Sequence, residues 1–308
     1  GTISNNKKRN SINRGDNVFF ETIINVKPYV TNYCLHDYMD SNLTYNSVLK
    51  DGIAYYSNEK NESLKRKSLK KFEDYNATTE TGDGCNFHLT FTKAFYDKYQ
   101  KDIDSGKLTQ IYIKYLAVVS NDAPIDTPMV NTSYLTYGEN SKTEESKTET
   151  FTYSIPIFKY TGYNKALAGA KFILSKDSNP TEGNALKFTQ AGSNYSYNKN
   201  GNVTLTSYSD GKINIKGIQA DTYYLKEIEA PKGYNLIKTP IMIVVTSDTD
   251  GKGVVKVDND VVDQVNVLNN YGSLLPSTGG MGTTLIYAIG CILVLSSGVV
   301  LFLKRRTK

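Results

Sequence analysis

Histidine and cysteine are scarce in this sequence: two and three residues in 308. That is too few for a zinc site of recognisable ligand spacing. His36 and His88 also have no nucleophile or further ligand at a motif distance, so neither catalysis nor metal binding is expected of them, and no cofactor is expected. Charge of one sign is lacking too. The formal net charge is only +5 and no basic block is interleaved with aromatics, so nucleic acid is not an expected partner. Long uncharged apolar runs are confined to one, at residues 284–303. What the chain does have is 24 tyrosines among many Asn, Thr, Ser and Lys, a composition suited to a β-rich, extracellular surface. Its length accommodates two ordinary domains and a short terminal segment.

The C-terminus orders three signals. Leu275-Pro276-Ser277-Thr278-Gly279 comes first, the uncharged run 284–303 second, and Lys304-Arg305-Arg306-Thr307-Lys308 last. As a helix at about 1.5 Å per residue the run spans roughly 30 Å, the hydrocarbon thickness of a bilayer, and the basic cluster holds its end on the cytoplasmic side. Pro276 removes a backbone donor and favours a bent, extended peptide. This order resembles the LPxTG cell-wall sorting signal of Gram-positive surface proteins. The resemblance implies that a sortase cysteine attacks the carbonyl between Thr278 and Gly279, and that an amine from peptidoglycan or a pilin lysine resolves the acyl-enzyme. The chain would be the substrate of that reaction, membrane-spanning before sorting and wall-anchored after it. A sorting signal requires export, yet the chain opens at Gly1-Thr2-Ile3 without an export signal; one is expected upstream.

Residues 1–154 read as a first domain. Strand-like runs recur at 17–26, 33–35, 86–91, 110–119 and 130–137, and the stretches 62–75 and 93–103 read as helical. Three segments, Gly15-Asp16-Asn17-Val18-Phe19-Phe20, His36-Asp37-Tyr38-Met39 with Leu43-Thr44-Tyr45-Asn46, and Asn131-Thr132-Ser133-Tyr134-Leu135-Thr136-Tyr137, resemble the isopeptide-forming middle domain of Gram-positive backbone pilins, a CnaA-like sandwich. The resemblance implies a Lys near the first strand, Lys7 or Lys8, bonded to Asn131 with Asp37 as helper. The plain alternative is that Asp37 caps a turn and Asn131 is an ordinary strand residue. Arg14-Gly15-Asp16 spells an integrin tripeptide, but Gly15-Asp16 is already accounted for as the turn before a strand. Cys34 and Cys85 are either two buried free thiols or a disulfide, with the thiols favoured; Cys291 lies in the apolar span.

A polar stretch at 138–149 reads as a solvated linker. Residues 155–271 then read as a second all-β domain, with strands at 155–160, 167–174, 202–206, 212–216, 223–229, 241–246, 254–257 and 262–268. Lys159 on the first of these, Leu167-Ala168-Gly169-Ala170-Lys171-Phe172-Ile173-Leu174, and the run from Tyr223 to Tyr234 containing Glu227-Ile228-Glu229-Ala230-Pro231 resemble the CnaB-type, or SpaA-like, pilin domain. The resemblance implies an isopeptide bond from Lys159 to an Asn of the final strand. Asn269 is favoured, with Asn270 and Asn266 as alternatives. Glu227 would be the proton shuttle, with Glu229 the competing carboxylate. Such chemistry needs an uncharged amine, which burial promotes, and a carboxylic acid held beside the amide; the fold supplies the proximity.

The expected architecture is thus all-β: two immunoglobulin-like sandwiches, CnaA-like then CnaB-type, with residues 272–308 forming a sorting signal and transmembrane helix. The expected function is structural, a secreted, wall-anchored pilus subunit that is not an enzyme beyond one autocatalytic turnover. The alternative is a monomeric adhesin stalk. That reading adds a host-surface ligand as partner, which the sequence does not name.

Overall fold

Along Asn17–Asn25 the residues Val18, Phe20 and Ile24 are buried while Asn17, Phe19 and Glu21 are exposed, the period-two pattern of a strand with one face on a core. The computed structural model describes residues 8–48, 52–56, 60 and 65–272. Asn17–Asn25 pairs with Leu108–Val119, which also holds Leu43–Val48 and Gly52–Tyr56, and Arg66–Leu69 completes this sheet. A second sheet runs Arg9–Ser11, Ser146–Phe151, Met129–Tyr137, Cys34–Met39, Phe87–Phe91, Tyr75–Thr78, with Ser141–Lys142 beside Met129–Tyr137. Val18, Leu35, Leu89, Ile111 and Ile113 from both sheets share one core.

The helix Lys93–Asp104 matches the reading of the sequence. Thr92 caps it, its Oγ1 accepting from the Phe95 amide at 3.1 Å, and Phe95, Tyr99 and Ile103 form its buried stripe. The helix expected at 62–75 is overturned: Arg66–Leu69 is a strand, and residues 61–64 lie outside the described residues. Of its four residues only Leu69 is buried, so there is no stripe to hold a helix against the core, whereas pairing with Gly52–Tyr56 satisfies its backbone. The expected linker at 138–149 is also corrected. Ser146–Phe151 lies between Arg9–Ser11, to which it is parallel, and Met129–Tyr137, to which it is antiparallel. Backbone pairing on both sides needs no large apolar side chains, so composition concealed it.

The second sandwich places Lys165–Ala166, Tyr153–Thr161, Lys212–Ile218, Asn194–Tyr197 and Phe188–Ala191 in one sheet, with Val265–Leu268 also paired to Tyr153–Thr161. The other sheet runs Leu205–Thr206, Lys171–Ser175, Asp221–Glu229, Ile241–Ser247, Gly253–Val257, Asp260–Val262. Ile155, Phe172, Ile213, Leu225 and Val265 are among its core. The first and last strands run parallel, Ile157 opposite Val265 through Tyr160 opposite Leu268. Separately, residues 232–235 and 270–272 group together as a small unit, in which Tyr234 stacks on Tyr271 at 4.5 Å and the Gly272 amide donates to Gly233 O. Among the described residues no helix is long and apolar enough to cross a membrane. Lys7, the pentapeptide 275–279, the span 284–303 with Cys291, and the basic tail all lie outside the described residues.

Both sandwiches belong to one compact unit. Arg14 joins them: its amide donates to Gly217 O at 2.9 Å, its Nε to Ala123 O at 2.9 Å and its Nη1 to Ser196 Oγ at 3.2 Å. Nearby the Ala220 amide donates to Ser11 Oγ and the Gln219 amide to Asn13 Oδ1, each at 2.9 Å. The Arg14-Gly15-Asp16 tripeptide is therefore engaged within the fold. Arg14→Ala should lower stability by about 1–3 kcal/mol, since it strands the Ala123 carbonyl and opens a gap against Gly217. Chemical denaturation of the two-domain region would measure this, and an unchanged midpoint would rule it out.

Candidate functional site

Strict alternation in Tyr153–Thr161 buries Tyr153, Ile155, Ile157, Lys159 and Thr161. The same period that fills the core with isoleucine carries the Lys159 amine into it. Asp221–Glu229 likewise buries Tyr223, Leu225 and Glu227, and the inward series Val265, Val267 ends on Asn269. Three polar side chains thus converge in an apolar interior. Lys159 Nζ lies 2.6 Å from Asn269 Oδ1 and also donates to Val267 O at 3.0 Å. Asn269 Nδ2 donates to Glu227 Oε1 at 2.9 Å, and the Ile237 amide donates to Glu227 Oε2 at 2.8 Å. Lys159 Nζ and Glu227 Oε1 are 4.0 Å apart, with neither side chain exposed. Burial pushes the Lys159 amine down to about 8, against the opposing pull of Glu227, so an uncharged amine is accessible near neutral pH.

The geometry suits one reaction, in which the uncharged amine would attack Asn269 Cγ, the Cγ–Nδ2 bond would break, and the proton shed by Lys159 would travel through Glu227 to the departing nitrogen, leaving an amide and one ammonia. Glu227 sits at the leaving nitrogen, where a general acid is required.

The competing residues lie elsewhere. Asn266 and Asn270 are exposed. Glu229, two positions after Glu227, would share its face in a regular strand, but the register slips there: Phe172 pairs with Glu227 and Lys171 with Glu229. This one-residue bulge turns Glu229 out to bind Lys171 at 2.8 Å.

The first sandwich holds a related pair. Asp37 and Asn131 are buried, and Asp37 Oδ2 accepts from Asn131 Nδ2 at 3.0 Å and from the Tyr115 hydroxyl at 2.5 Å. Burial raises the Asp37 carboxyl to about 6, with the hydrogen bonds from Tyr115 and Asn131 opposing. Tyr115 was missed by sequence reading, although its inward place on Leu108–Val119 was the available signal. Lys8 lines the same cleft as Tyr115 and Asn131, but its Nζ donates to Ser146 Oγ at 3.3 Å, and it stays exposed. Cys34 and Cys85 are both free thiols, Cys85 buried and Cys34 half-buried. His36 and His88 lie opposite one another on paired strands.

The chain thus holds two β-sandwiches, one with a buried Lys–Asn–Glu cluster. Residues 154–261 match the SpaA family model, a prealbumin-like fold domain, in line with the SpaA-like β-sandwich expected there. Over 85–87% of the chain the fold is similar to that of streptococcal pilus backbone proteins. The pilus 2b backbone protein of group B streptococcus is 22% identical with a TM-score of 0.59, covering 87% of this chain and 98% of that one. The 35 kDa C-terminal fragment of the major pilin of Streptococcus agalactiae is 20% identical with a TM-score of 0.60, covering 85% and 96%. The pilus backbone of Streptococcus pneumoniae is 14% identical with a TM-score of 0.52, covering 85% and 94%. At these identities the likeness is one of fold. No curated protein sequence matches the chain.

Proposed function

We propose that this chain is a subunit of a sortase-assembled pilus on a Gram-positive cell surface, stapled internally by a Lys159–Asn269 isopeptide bond. The observation that carries the reading is the buried amine 2.6 Å from the Asn269 amide oxygen with Glu227 at the amide nitrogen, inside a fold shared with pilus backbone proteins. The first sandwich would form a second bond, from Lys7 or Lys8 to Asn131 with Asp37 as proton carrier. Support for it is the buried Asp37–Asn131 contact and the position of Lys8 on the same cleft. The chain is a substrate in this scheme. Its own chemistry is a single self-modification, and sortase acts at Thr278, joining it to a neighbouring subunit or to peptidoglycan after the span 284–303 has held it in the membrane.

Wall extracts from cells expressing the chain with its sortase should give a ladder of covalent multimers that survives boiling in detergent. Thr278→Ala should abolish both ladder and wall attachment, leaving the protein in the membrane fraction. Wall attachment that persists in Thr278→Ala would overturn the sorting assignment. A single wall-linked monomer would replace the pilus subunit with the adhesin stalk.

A further inference from the structure

The chain's two histidines, 52 positions apart in sequence, are brought into register on neighbouring strands, His36 opposite His88, with ring centroids 4.2 Å apart. They stand on the outer side of the sheet, since Leu35, Asp37, Phe87 and Leu89 take the inward positions. Core packing therefore does not account for them. The loop before Phe87–Phe91 delivers two more ligand-type side chains to the same spot. Gly82 and Gly84 flank Asp83 with φ of +72° and +86°, backbone that favours glycine. The Asp83 carboxylate folds back and its Oδ2 lies 3.0 Å from both His36 Nδ1 and His88 Nε2. Cys85 Sγ lies 4.0 Å from His36 Nδ1. One ligand atom from each of His36, Asp83, Cys85 and His88 lies within 4.8 Å of every other.

We propose that these four residues form a binding site for a divalent transition metal, with zinc the fitting ion. Zinc is bound at about 2.0–2.3 Å by imidazole, carboxylate and thiolate in a tetrahedron, whose corners are then spaced about 3.3–3.8 Å apart. The observed ligand atoms bracket that spacing, so small rotamer adjustments close the set. A thiolate and a carboxylate neutralise a divalent charge, and the two imidazoles bind neutral. Sulfur and nitrogen ligands exclude calcium and magnesium as the natural occupants, because these take oxygen. An outer partner is in place as well: His36 Nε2 lies 3.0 Å from Thr136 Oγ1, so a proton on Nε2 donated to the hydroxyl leaves the Nδ1 lone pair directed at the metal. Side-chain exposures of 12% for His36, 16% for His88 and 36% for Asp83 give a shallow site open to solvent on one side. Binding displaces the Cys85 thiol proton to water.

The full chain in detergent solution, stripped with chelator, loaded with zinc and dialysed, should retain one zinc per chain by elemental analysis. Zinc should also raise its melting temperature by several degrees, because the ion binds only the folded arrangement. Cobalt loaded in place of zinc should give the intense visible bands of a tetrahedral centre and a near-ultraviolet thiolate charge-transfer band. Cys85→Ser should remove the charge-transfer band, and Cys85→Ser with His88→Ala should remove both bound metal and the thermal shift while circular dichroism stays unchanged. Substoichiometric zinc in the wild-type chain would overturn the site. So would metal retention unchanged in the double variant, or a Cys34–Cys85 disulfide in protein isolated from the wall.

Discussion

Glu227→Ala should leave the second sandwich at the full mass of its own sequence, whereas the wild type should fall one ammonia short of its own. Lys159 Nζ and Asn269 Oδ1 stay 2.6 Å apart in the reactant geometry, but without Glu227 no group delivers a proton to the departing nitrogen. The bond would close a loop of 110 residues, and by the chain-entropy argument for disulfides a loop of about that length is worth about 4.7 kcal/mol. For a domain of this size that is on the order of 20 °C in melting temperature. The alanine also strands the Ile237 amide, which donates to Glu227 Oε2, at about 1–3 kcal/mol. Glu227→Gln separates the two effects. It keeps an acceptor for Ile237 and cannot shuttle protons, so it should show the same mass and a slightly smaller melting loss. Intact-mass measurement decides: a wild-type domain at full sequence mass, or a glutamine variant lighter by one ammonia, would refute the assignment.

Asn269→Ala should make the second domain's stability depend on pH in a range where a wild type bonded as proposed has no contribution from Lys159. In that variant Lys159 remains a free, buried amine, held by its surroundings near 8 against an ordinary 10.5. Because the folded value is the lower one, the unfolded chain binds the extra proton between roughly pH 8 and 10.5, and stability rises with pH across that window. Below pH 8 the charge is buried in the folded state and the gain is lost. At 1.36 kcal/mol per unit the full change is about 3 kcal/mol. Denaturant melts of both proteins at pH 7 and pH 10 should therefore show the variant's deficit narrowing as pH rises. A deficit that widens would mean that Lys159 keeps its charge in the fold.

Lys159, Glu227 and Asn269 were legible through the resemblance to the SpaA-like domain, and they stand at inward positions in or just after strands whose inward residues include Ile155, Leu225 and Val267. The bulge that turns Glu229 outward was not legible, because register slips arise from pairing with Lys171–Ser175 and leave no local mark. Phe188–Ala191 and Asn194–Tyr197 went unread because each is only four residues long and buries a single side chain. The strand Ser146–Phe151 was taken for a linker for a related reason: its stability comes from backbone pairing with two neighbours. The His36 and His88 pairing illustrates the limit most clearly. Strand register sets it, so the fold rather than sequence spacing assembles that cluster.

The parallel alignment of Tyr153–Thr161 with Val265–Leu268 has a mechanical consequence. Tension applied along a filament would enter this domain near residue 153 and leave near residue 269, and parallel strands pulled in opposite senses resist in shear. With Lys159 and Asn269 joined as proposed, the tension passes across one covalent link close to both ends. The intervening 110 positions, roughly 360–400 Å of extended chain, are then removed from the path. A shaft built of such domains would stretch only by what lies between the links, so in single-molecule pulling its extension should lack the long release expected when the second sandwich of the Glu227→Ala form unravels.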